Sequence, residues 1–428
     1  MIHAVDRIAL TNACWLSADG TFEEGTLFIE DGHIVRLAGA DAATDGYDII
    51  DAAGHLILPG AIDPHVHLRQ PGQLYKEGVN NGSKAALRGG VTSVIDMPNN
   101  KPACSTAARL RQKKEIFTQK SYVNWGLMFH ATAGYREPVQ KQIKSAKVYM
   151  AKSSALPAVT EQNVINDICR FYPLLSFHAE DETAFLPGKL PHHEKRPHTA
   201  VKTALQKIER ALRALAPEER PRVVICHMNT ALETDWLRRM RREGFDVWGE
   251  GSPHYFFFTQ DDYLRQGTAL QVNPAIKTEQ DRQALRRALR EGGIDFIGTD
   301  HAPHARFEKE SAQPPSGIAA IEWYMPLMLH LLDEGLLDWP RFYELTCANA
   351  ARCYRIEKRD GIKEGNYADL VLVKRYDQPV RQQKIQSKSG QNVYSHMPLH
   401  WRVETVLVNG KIKFDGKRFY GKPEGMEI

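Results

Sequence analysis

The first sixty residues fall into short apolar segments rich in β-forming residues. Their composition predicts strands at Arg7–Ala13, Gly25–Glu30, His33–Leu37, Asp48–Asp51 and His55–Leu58. Asp31-Gly32 lies between two of them and has the composition of a tight hairpin turn. No long amphipathic helix fits here, so we expect residues 1–60 to form one part of a β-sandwich.

From residue 61 the pattern changes to apolar runs that alternate with helix-like segments. The runs are Ala61–His67, Val91–Met97, Tyr122–His130, Ala146–Ala151, Leu174–His178, Arg222–His227, Asp246–Gly249 and Ile294–Thr299. Helical periodicity lies between most of them, as at Gly78–Arg88, Glu161–Phe171, Ala200–Leu215, Leu232–Arg242 and Glu279–Arg290. Buried strands alternating with helices are typical of a (β/α)₈ barrel, which we expect to span residues 61–355. An open, doubly wound sheet is the structural alternative.

Strand-like segments return after residue 355, at Ala368–Val373, Val403–Val408 and Lys411–Phe414. Asn409-Gly410, between the last two, is a second hairpin-turn dipeptide. We therefore expect residues 356–428 to complete the β-sandwich that residues 1–60 begin. The predicted fold class is α/β, a TIM-like barrel with a small β-sandwich domain built from both termini.

Composition narrows the choice of partners and compartment. A net charge of +4 over 428 residues gives no reason to expect nucleic acid or an anionic membrane as a partner. The six cysteines are scattered without a CxxC pair, which favours reduced thiols. The chain shows no secretion signal and no apolar run of about 18 residues, the length that a membrane span needs. We expect a cytoplasmic protein that assembles as a homodimer.

Ionisable residues stand on five of the predicted barrel strands, close to their C-terminal ends: His65, His67, Lys147, His178, His227 and Asp300. The C-terminal ends of barrel strands face one mouth, so these side chains should meet there. His65 and His67 are two residues apart and point the same way, so both imidazoles can bind one metal ion such as Zn²⁺. A single histidine at a strand end is more often a hydrogen-bonded core residue, but this set together favours a metal site.

Lys147 lies in Ala-Lys-Val-Tyr-Met, an otherwise apolar strand. Burying an ammonium group is costly and favours the neutral amine, a nucleophile that can add CO₂. The resulting carbamate is a bidentate anion that can bridge two metal ions. A plain cation at the mouth, or a side chain that reaches outward to solvent, is the alternative. Lys152 is a weaker candidate for this role, because its parity in the strand is opposite.

Several strings of the chain resemble the amidohydrolase superfamily, and most of all its dihydroorotase branch. They are DPHVHLRQPG, GGVTSVIDMPNNKP, AKVYMAKSS, SFHAE, VVICHM and GTDHAPH. The strings IIDAAGHLILPGAID, GIKEGNYADLVLV and VETVLVNGKIKFDG are similar to the segments by which the family's chain enters and leaves the barrel. The resemblance therefore covers nearly the whole chain.

The resemblance implies a hydrolase of cyclic amides that holds two zinc ions per chain. His65, His67, Asp300 and a carboxylated Lys147 would hold one zinc. Lys147, His178 and His227 would hold the second, so the carboxylated lysine would bridge the two ions. Asp300 is also the implied catalytic residue, since it would pass a proton to the departing ring nitrogen.

The implied reaction interconverts N-carbamoyl-L-aspartate and L-dihydroorotate in de novo pyrimidine biosynthesis. Arg69 follows His67 by two residues and should face the same mouth, where a guanidinium can clamp a carboxylate. By the resemblance, Asn99 and His304 would grip the same carboxylate, and Asn273 would be a further substrate contact. A structural ion pair at the barrel rim is the other interpretation of Arg69.

Other functions stay open at this point. One is the same chemistry on another ring, as in an allantoinase, a hydantoinase or a dihydropyrimidinase; another is a non-catalytic assembly protein. Three places depart from the dihydroorotase pattern. Gln70 replaces a common Glu, Lys277 replaces a usual Arg, and the stretch Lys195–Ala200 lacks the expected acidic residues. These departures concern the substrate, because none of them removes a proposed metal ligand.

Overall fold

The computed structural model describes residues 6–132, 138–153, 157–380 and 384–428. Its strands are β1 (Arg7–Leu16), β2 (Phe22–Glu30), β3 (His33–Ala38), β4 (Asp48–Asp51), β5 (Leu56–Pro59), β6 (Ala61–Val66), β7 (Val91–Asp96), β8 (Asn124–His130), β9 (Ser145–Tyr149), β10 (Leu174–His178), β11 (Arg222–Ile225), β12 (Val247–Gly251), β13 (Phe296–Ile297), β14 (Leu370–Arg375), β15 (Trp401–Val408) and β16 (Lys411–Phe414). Its α-helices are α1 (Val79–Arg88), α2 (Ala107–Lys120), α3 (Gln162–Phe171), α4 (His192–Lys195), α5 (His198–Arg213), α6 (Ala231–Arg242), α7 (His254–Phe257), α8 (Gln260–Gln266), α9 (Glu279–Glu291), α10 (Arg306–Lys309), α11 (Tyr324–Asp333), α12 (Trp339–Tyr343) and α13 (Asn349–Tyr354).

Strands from both ends of the chain form one eight-stranded sheet. Its order is β16-β15-β14-β5-β1-β2-β3, with β4 beside β1. The two ends meet where β5 pairs antiparallel with β14, for example Leu56 with Val373. Apolar side chains of both ends pack into a small core of their own. Both predicted hairpin turns, Asp31-Gly32 and Asn409-Gly410, have the positive φ angles that two-residue hairpin loops need.

The strands β6 to β13 are parallel and pair in chain order, each one with the next. The ring closes between its first and last members, because Val66 bridges His301 and the His67 amide donates to the His301 carbonyl at 2.8 Å. Helices α1 to α13 follow the barrel strands along the chain. The larger hydrophobic core lies between the parallel barrel strands and these helices. The predicted (β/α)₈ barrel with a β unit from both termini is confirmed over the open sheet. The domain limits at residues 60 and 355 stay a prediction.

Two barrel strands end earlier than predicted, and backbone conformation explains the difference. β11 ends at Ile225, two residues before His227. β13 consists only of Phe296–Ile297 and ends three residues before Asp300. His227 and Asp300 have φ angles of 39° and 48°, which are incompatible with a continuing strand. Arg69 has a φ of 63°. Backbone of this kind is costly for residues other than glycine, and it concentrates where a fold aims side chains into a site.

Two further expectations concern the whole chain. The six cysteines are free thiols, and five of them are buried. In the part of the chain that the structure describes, no helix has both the length and the apolar character needed to cross a membrane.

Candidate metal centre and substrate cavity

A cavity of about 190 Å³ lies at the C-terminal ends of the barrel strands. Nine of the ten residues proposed from the sequence line it: His65, His67, Arg69, Asn99, His178, His227, Asn273, Asp300 and His304. The tenth, Lys147, is fully buried in β9. The strand-end argument therefore brings the predicted residues to one place.

His65, His67 and Asp300 form one cluster of possible metal ligands. Their ligand atoms lie within 4.8 Å of one another, and all three residues are buried. Asp300 Oδ1 lies 3.0 Å from His67 Nε2 and 3.4 Å from His65 Nε2. Two imidazole nitrogens thus face one carboxylate oxygen, a donor set that suits a divalent metal.

The two imidazoles are held in this orientation by bonds to their other nitrogens. His65 Nδ1 lies 2.6 Å from Glu250 Oε1, and His67 Nδ1 lies 2.7 Å from Asn99 Oδ1. Each ring therefore donates from Nδ1 and keeps Nε2 for a ligand, the arrangement that orients metal-binding histidines. Glu250 was not predicted. It could have been predicted because it is a lone carboxylate within the strand β12. Burying a charged group in a strand is costly, as was argued for Lys147, and this points to a functional role.

His178 and His227 form a second pair next to the first. His178 Nδ1 lies 3.0 Å from His227 Nε2, while His178 Nε2 lies 3.4 Å from Glu180 Oε2. Burial lowers the pKa of His178 and of His227, so both rings are neutral at pH 7. Arg196 in turn binds Glu180, so this carboxylate is held next to His178 Nε2, on the side of the ring opposite His227. The facing nitrogens of the pair can share one cation.

Lys147 lies close enough to both histidine clusters for its charge to act on them. Its side chain is fully buried, and Nζ has no hydrogen-bond partner among the described residues. Its positive charge opposes protonation of His65, His178 and His227, although the pKa of His65 is raised overall by other groups. A buried ammonium without a partner is strongly unfavourable, so the position suits a lysine whose amine is modified and bound.

The electrostatics of the first cluster call for a positive charge. Burial would lower the pKa of His65, but Glu250, Asp300 and a hydrogen bond with Cys226 together outweigh it and raise the pKa to about 10. Burial would raise the pKa of Asp300, but His65 and His67 hold that pKa well below its usual value. Two carboxylates around one imidazole attract a proton or a metal cation. Together with the unpartnered Lys147 amine, the residues present fit a metal centre.

Arg69 is a buried guanidinium at the same cavity. Its Nε donates to the Pro303 carbonyl at 3.2 Å, and Nη2 lies 3.1 Å from His304 Nε2. No carboxylate pairs with it among the residues that the structure describes. The rim ion pair considered from the sequence is therefore not found there.

Further cations surround His304. Lys76 Nζ lies 3.0 Å from His304 Nδ1 and 2.9 Å from Glu308 Oε1. Burial, with the charges of Arg69, Lys76 and Lys309, lowers the pKa of His304 strongly. The imidazole is therefore neutral, and three cations, Arg69, Lys76 and Lys309, act on it beside the Glu308 carboxylate. Such an imbalance favours an anionic ligand.

The three departures from the dihydroorotase pattern lie outside the cavity lining. Gln70 accepts a hydrogen bond from the Val79 amide at the start of α1. The Lys277 ammonium donates to the backbone carbonyls of His193 and Arg196. Both side chains hold loops in place, so these changes leave the cavity's own contacts intact.

Replacing Glu250 with Gln tests how His65 is held. The glutamate accepts from His65 Nδ1 and from the His227 amide at 3.0 Å, so loss of its charge should weaken the ligand field. We expect metal affinity to fall about 10- to 100-fold with the fold intact. Chelator competition measures this. Glu233→Gln, at a buried helix cap, is the matched control. Equal affinity in both variants would show that Glu250 does not tune a metal.

Sequence comparisons give the relatives of this chain. A model described as the amidohydrolase family matches residues 56–161 and 260–413. A dihydroorotase from Pyrococcus furiosus is 31% identical over 406 residues, which covers 95% of this chain and 92% of the relative. A dihydroorotase from Staphylococcus aureus is 29% identical over 423 residues, covering 94% and 97%.

Solved structures share the fold. An L-hydantoinase (dihydropyrimidinase) from Arthrobacter aurescens superposes with a TM-score of 0.90 at 22% identity over 98% of both chains. A dihydropyrimidinase from Brevibacillus agri gives a TM-score of 0.87 at 23% identity, covering 99% of this chain and 98% of that one. At such identities the likeness is one of fold.

Proposed function

The chain belongs to the amidohydrolase family and is a cyclic amide hydrolase, and from this premise we propose that it is a dihydroorotase. Its reaction would be the reversible closure of N-carbamoyl-L-aspartate to L-dihydroorotate in pyrimidine biosynthesis. The observation that carries the proposal is Arg69, a buried guanidinium in the cavity with no carboxylate partner among the described residues. Both compounds carry a carboxylate, which allantoin and simple hydantoins lack.

Arg69, Asn99 and His304 would bind that carboxylate. The guanidinium offers two parallel N–H donors, which match a carboxylate better than a point charge does. Asn99 Oδ1 accepts from His67 Nδ1, and the Asn99 Nδ2 group, which donates to Ser153 Oγ at 3.0 Å, would be the donor toward the substrate. Asn273 lines the cavity, which supports its assignment as a further contact.

The proposed metal sites follow the two clusters. His65, His67 and Asp300 would hold one zinc, His178 and His227 the other, and Lys147 as a carbamate would bridge them. Bound zinc would supply a water of lowered pKa as nucleophile and would polarise the scissile carbonyl. The free thiols support the cytoplasm as the expected compartment. A homodimer stays a prediction.

Asp300 would move the proton. Its carboxylate lies beside both His65 and His67, and their charges keep its pKa well below the usual value despite burial. It is therefore ionised at neutral pH and can accept a proton from the attacking water. It would then donate that proton to the ring nitrogen as the amide bond breaks. In the ring-closing direction the same carboxyl would act in reverse.

Hydrolysis of an uncharged ring is the second candidate function. The solved structures of similar fold are named hydantoinase and dihydropyrimidinase, which keeps this alternative in view. An uncharged substrate would leave Arg69 buried without an anionic partner. A non-catalytic role is disfavoured, because all six proposed ligands are present and lie close together.

Arg69→Met should lower kcat/KM for dihydroorotate about 100-fold or more. A charge-assisted hydrogen bond contributes roughly 1.5–3 kcal/mol, and a bidentate pair lies at or above the top of that range. Metal content should stay the same, since Arg69 is not among the proposed ligands. A panel of dihydroorotate, allantoin and hydantoin, followed by absorbance, measures the effect and the substrate choice together.

Two variants sharpen this test. Arg69→Lys should rescue poorly, because an ammonium cannot reproduce the guanidinium fork. Arg109→Met removes an arginine that hydrogen-bonds at the start of α2, away from the cavity lining, and should leave turnover unchanged. If Arg69→Met hydrolyses dihydroorotate as well as the wild type does, the substrate must be sought among uncharged cyclic amides.

A further inference from the structure

Tyr149 lines the cavity, and nothing in the proposed metal site or carboxylate site uses its hydroxyl. The residue is 5% exposed, and Oη has no hydrogen-bond partner among the described residues. We propose that Tyr149 is a substrate-binding residue whose hydroxyl donates a hydrogen bond to the ureide carbonyl oxygen of the bound ring. This proposal rests on the proposed function, because it assigns one more contact to the same substrate.

The position of Tyr149 follows from strand parity. It lies two residues after Lys147 on β9, so both side chains point into the barrel and Tyr149 is nearer the mouth. The register pairs Tyr149 with His178 on the neighbouring strand β10. The phenol therefore stands one layer above the buried amine, where a ligand in the cavity can reach it.

The order of strands around the barrel places Tyr149 between the two proposed ends of the substrate. Asn99 follows β7, Tyr149 ends β9, and His178 ends β10. Asn99 belongs to the proposed carboxylate site and His178 to the proposed metal site. A substrate ring would bind with its carboxylate at the carboxylate site and its scissile amide at the metal site. The ring atoms between these two groups would then lie next to Tyr149.

Two arcs of the dihydroorotate ring join the carboxylate-bearing carbon to the scissile amide. One is a methylene, and the other carries a ring N–H and the ureide carbonyl, so only the second offers the Tyr149 hydroxyl an acceptor. A carbonyl oxygen accepts hydrogen bonds, and a phenol at neutral pH is a protonated donor. Carbamoyl-aspartate keeps the same ureide carbonyl after the ring opens. The contact would therefore form in substrate and product alike, and it would orient the ureide nitrogen toward Asp300.

The packing of the Tyr149 ring supports a fixed donor. His130 stands edge-on to it, with ring centroids 5.0 Å apart, and the His178 ring lies 6.3 Å away. Lys147 Nζ lies 5.6 Å from its ring centroid. A ring held on several sides needs little reorganisation to donate, whereas a buried hydroxyl with no partner at all would be unfavourable.

Tyr149→Phe tests the proposal, with Tyr394→Phe as a matched control. Tyr394 is also buried, its hydroxyl also lacks a hydrogen-bond partner among the described residues, and it does not line the cavity. Loss of a neutral hydrogen bond made equally in ground and transition states raises KM and leaves kcat nearly unchanged. We expect Tyr149→Phe to raise KM for dihydroorotate about 3- to 10-fold, with kcat within about twofold.

Binding of orotate to the metal-loaded enzyme gives a readout independent of turnover. Orotate carries the same carboxylate and ureide carbonyl, so its Kd by calorimetry should rise about 3- to 10-fold in Tyr149→Phe and stay constant in Tyr394→Phe. Metal content and melting temperature should not change. Unchanged KM and Kd would overturn the proposal, and so would loss of metal in Tyr149→Phe, which would place the hydroxyl in the metal site.

Failure of this proposal is distinguishable from failure of the proposed function. If the wild type turns over dihydroorotate but Tyr149→Phe matches it in KM and Kd, only the Tyr149 assignment is wrong. If the wild type hydrolyses a hydantoin or allantoin instead, the substrate assignment is wrong. Those rings also contain a ureide carbonyl, so the same pair of variants then decides the Tyr149 contact on that substrate.

Discussion

Replacing Asp300 with Asn should lower kcat by about 100- to 10,000-fold, the range typical of a lost general acid–base group. The amide fills the same space beside His65 and His67 and can still offer an oxygen, so the fold should persist. It cannot accept the proton of the attacking water or return it to the ring nitrogen. Stopped assays in both directions measure the loss, since one carboxylate would serve hydrolysis and ring closure.

The control for this variant is Asp262→Asn. Asp262 caps the surface helix α8 and does not line the cavity, so the same chemical change there should leave kcat unaltered. Metal content of Asp300→Asn must be measured alongside, because Asp300 is also a proposed ligand. A decrease in kcat below about tenfold with full metal would mean that another group carries the proton.

Much of the fold follows from the chain's pattern alone. The strand β6 was predictable because Ala61–Val66 opens the alternation of strand-like and helical segments, and β14 because Leu370–Val373 is a run of β-branched and aliphatic residues. The C-terminal ends of β11 and β13 could not be predicted from the sequence. His227 and Asp300 leave the strand through positive φ angles, and such strain depends on tertiary contacts that no local pattern reveals.

In the candidate site, too, some residues were predictable from local sequence pattern and others only from tertiary contacts. Parity and strand ends place His65, His67 and His178 at one mouth, because side-chain direction in a strand is a local property. Glu250 and Lys76 escaped prediction, since their partners lie far away in sequence: Glu250 Oε1 meets His65, and Lys76 meets the His304 ring. Only the closed barrel brings such pairs together.

Two buried lysines show how far burial alone can be interpreted. Lys113 and Lys147 are both fully buried. Lys113 pairs with Asp96 at 2.5 Å and donates to the Met97 carbonyl at 2.7 Å, so it is a structural ion pair beneath β7. Lys147 has no hydrogen-bond partner among the described residues. A lysine in an apolar strand is therefore predicted to be buried. Whether its amine has a hydrogen-bonding partner then distinguishes a structural ion pair from an amine available for metal-site chemistry.

That contrast sets up the last prediction: Lys147→Ala should lose at least one metal ion and nearly all activity, yet it should unfold no more easily than Lys113→Ala. Breaking the Lys113 pair leaves Asp96 buried and uncompensated, which costs about 3–5 kcal/mol. Removing Lys147 breaks no ion pair among the described residues, but it removes the group proposed to bridge both sites. Elemental analysis, turnover and chemical denaturation of the two variants measure these effects, and mass spectrometry of the native wild type should detect the added CO₂. Two metals and wild-type turnover in Lys147→Ala would refute the bridge, and the lysine would then be a buried amine without a role in binding metal.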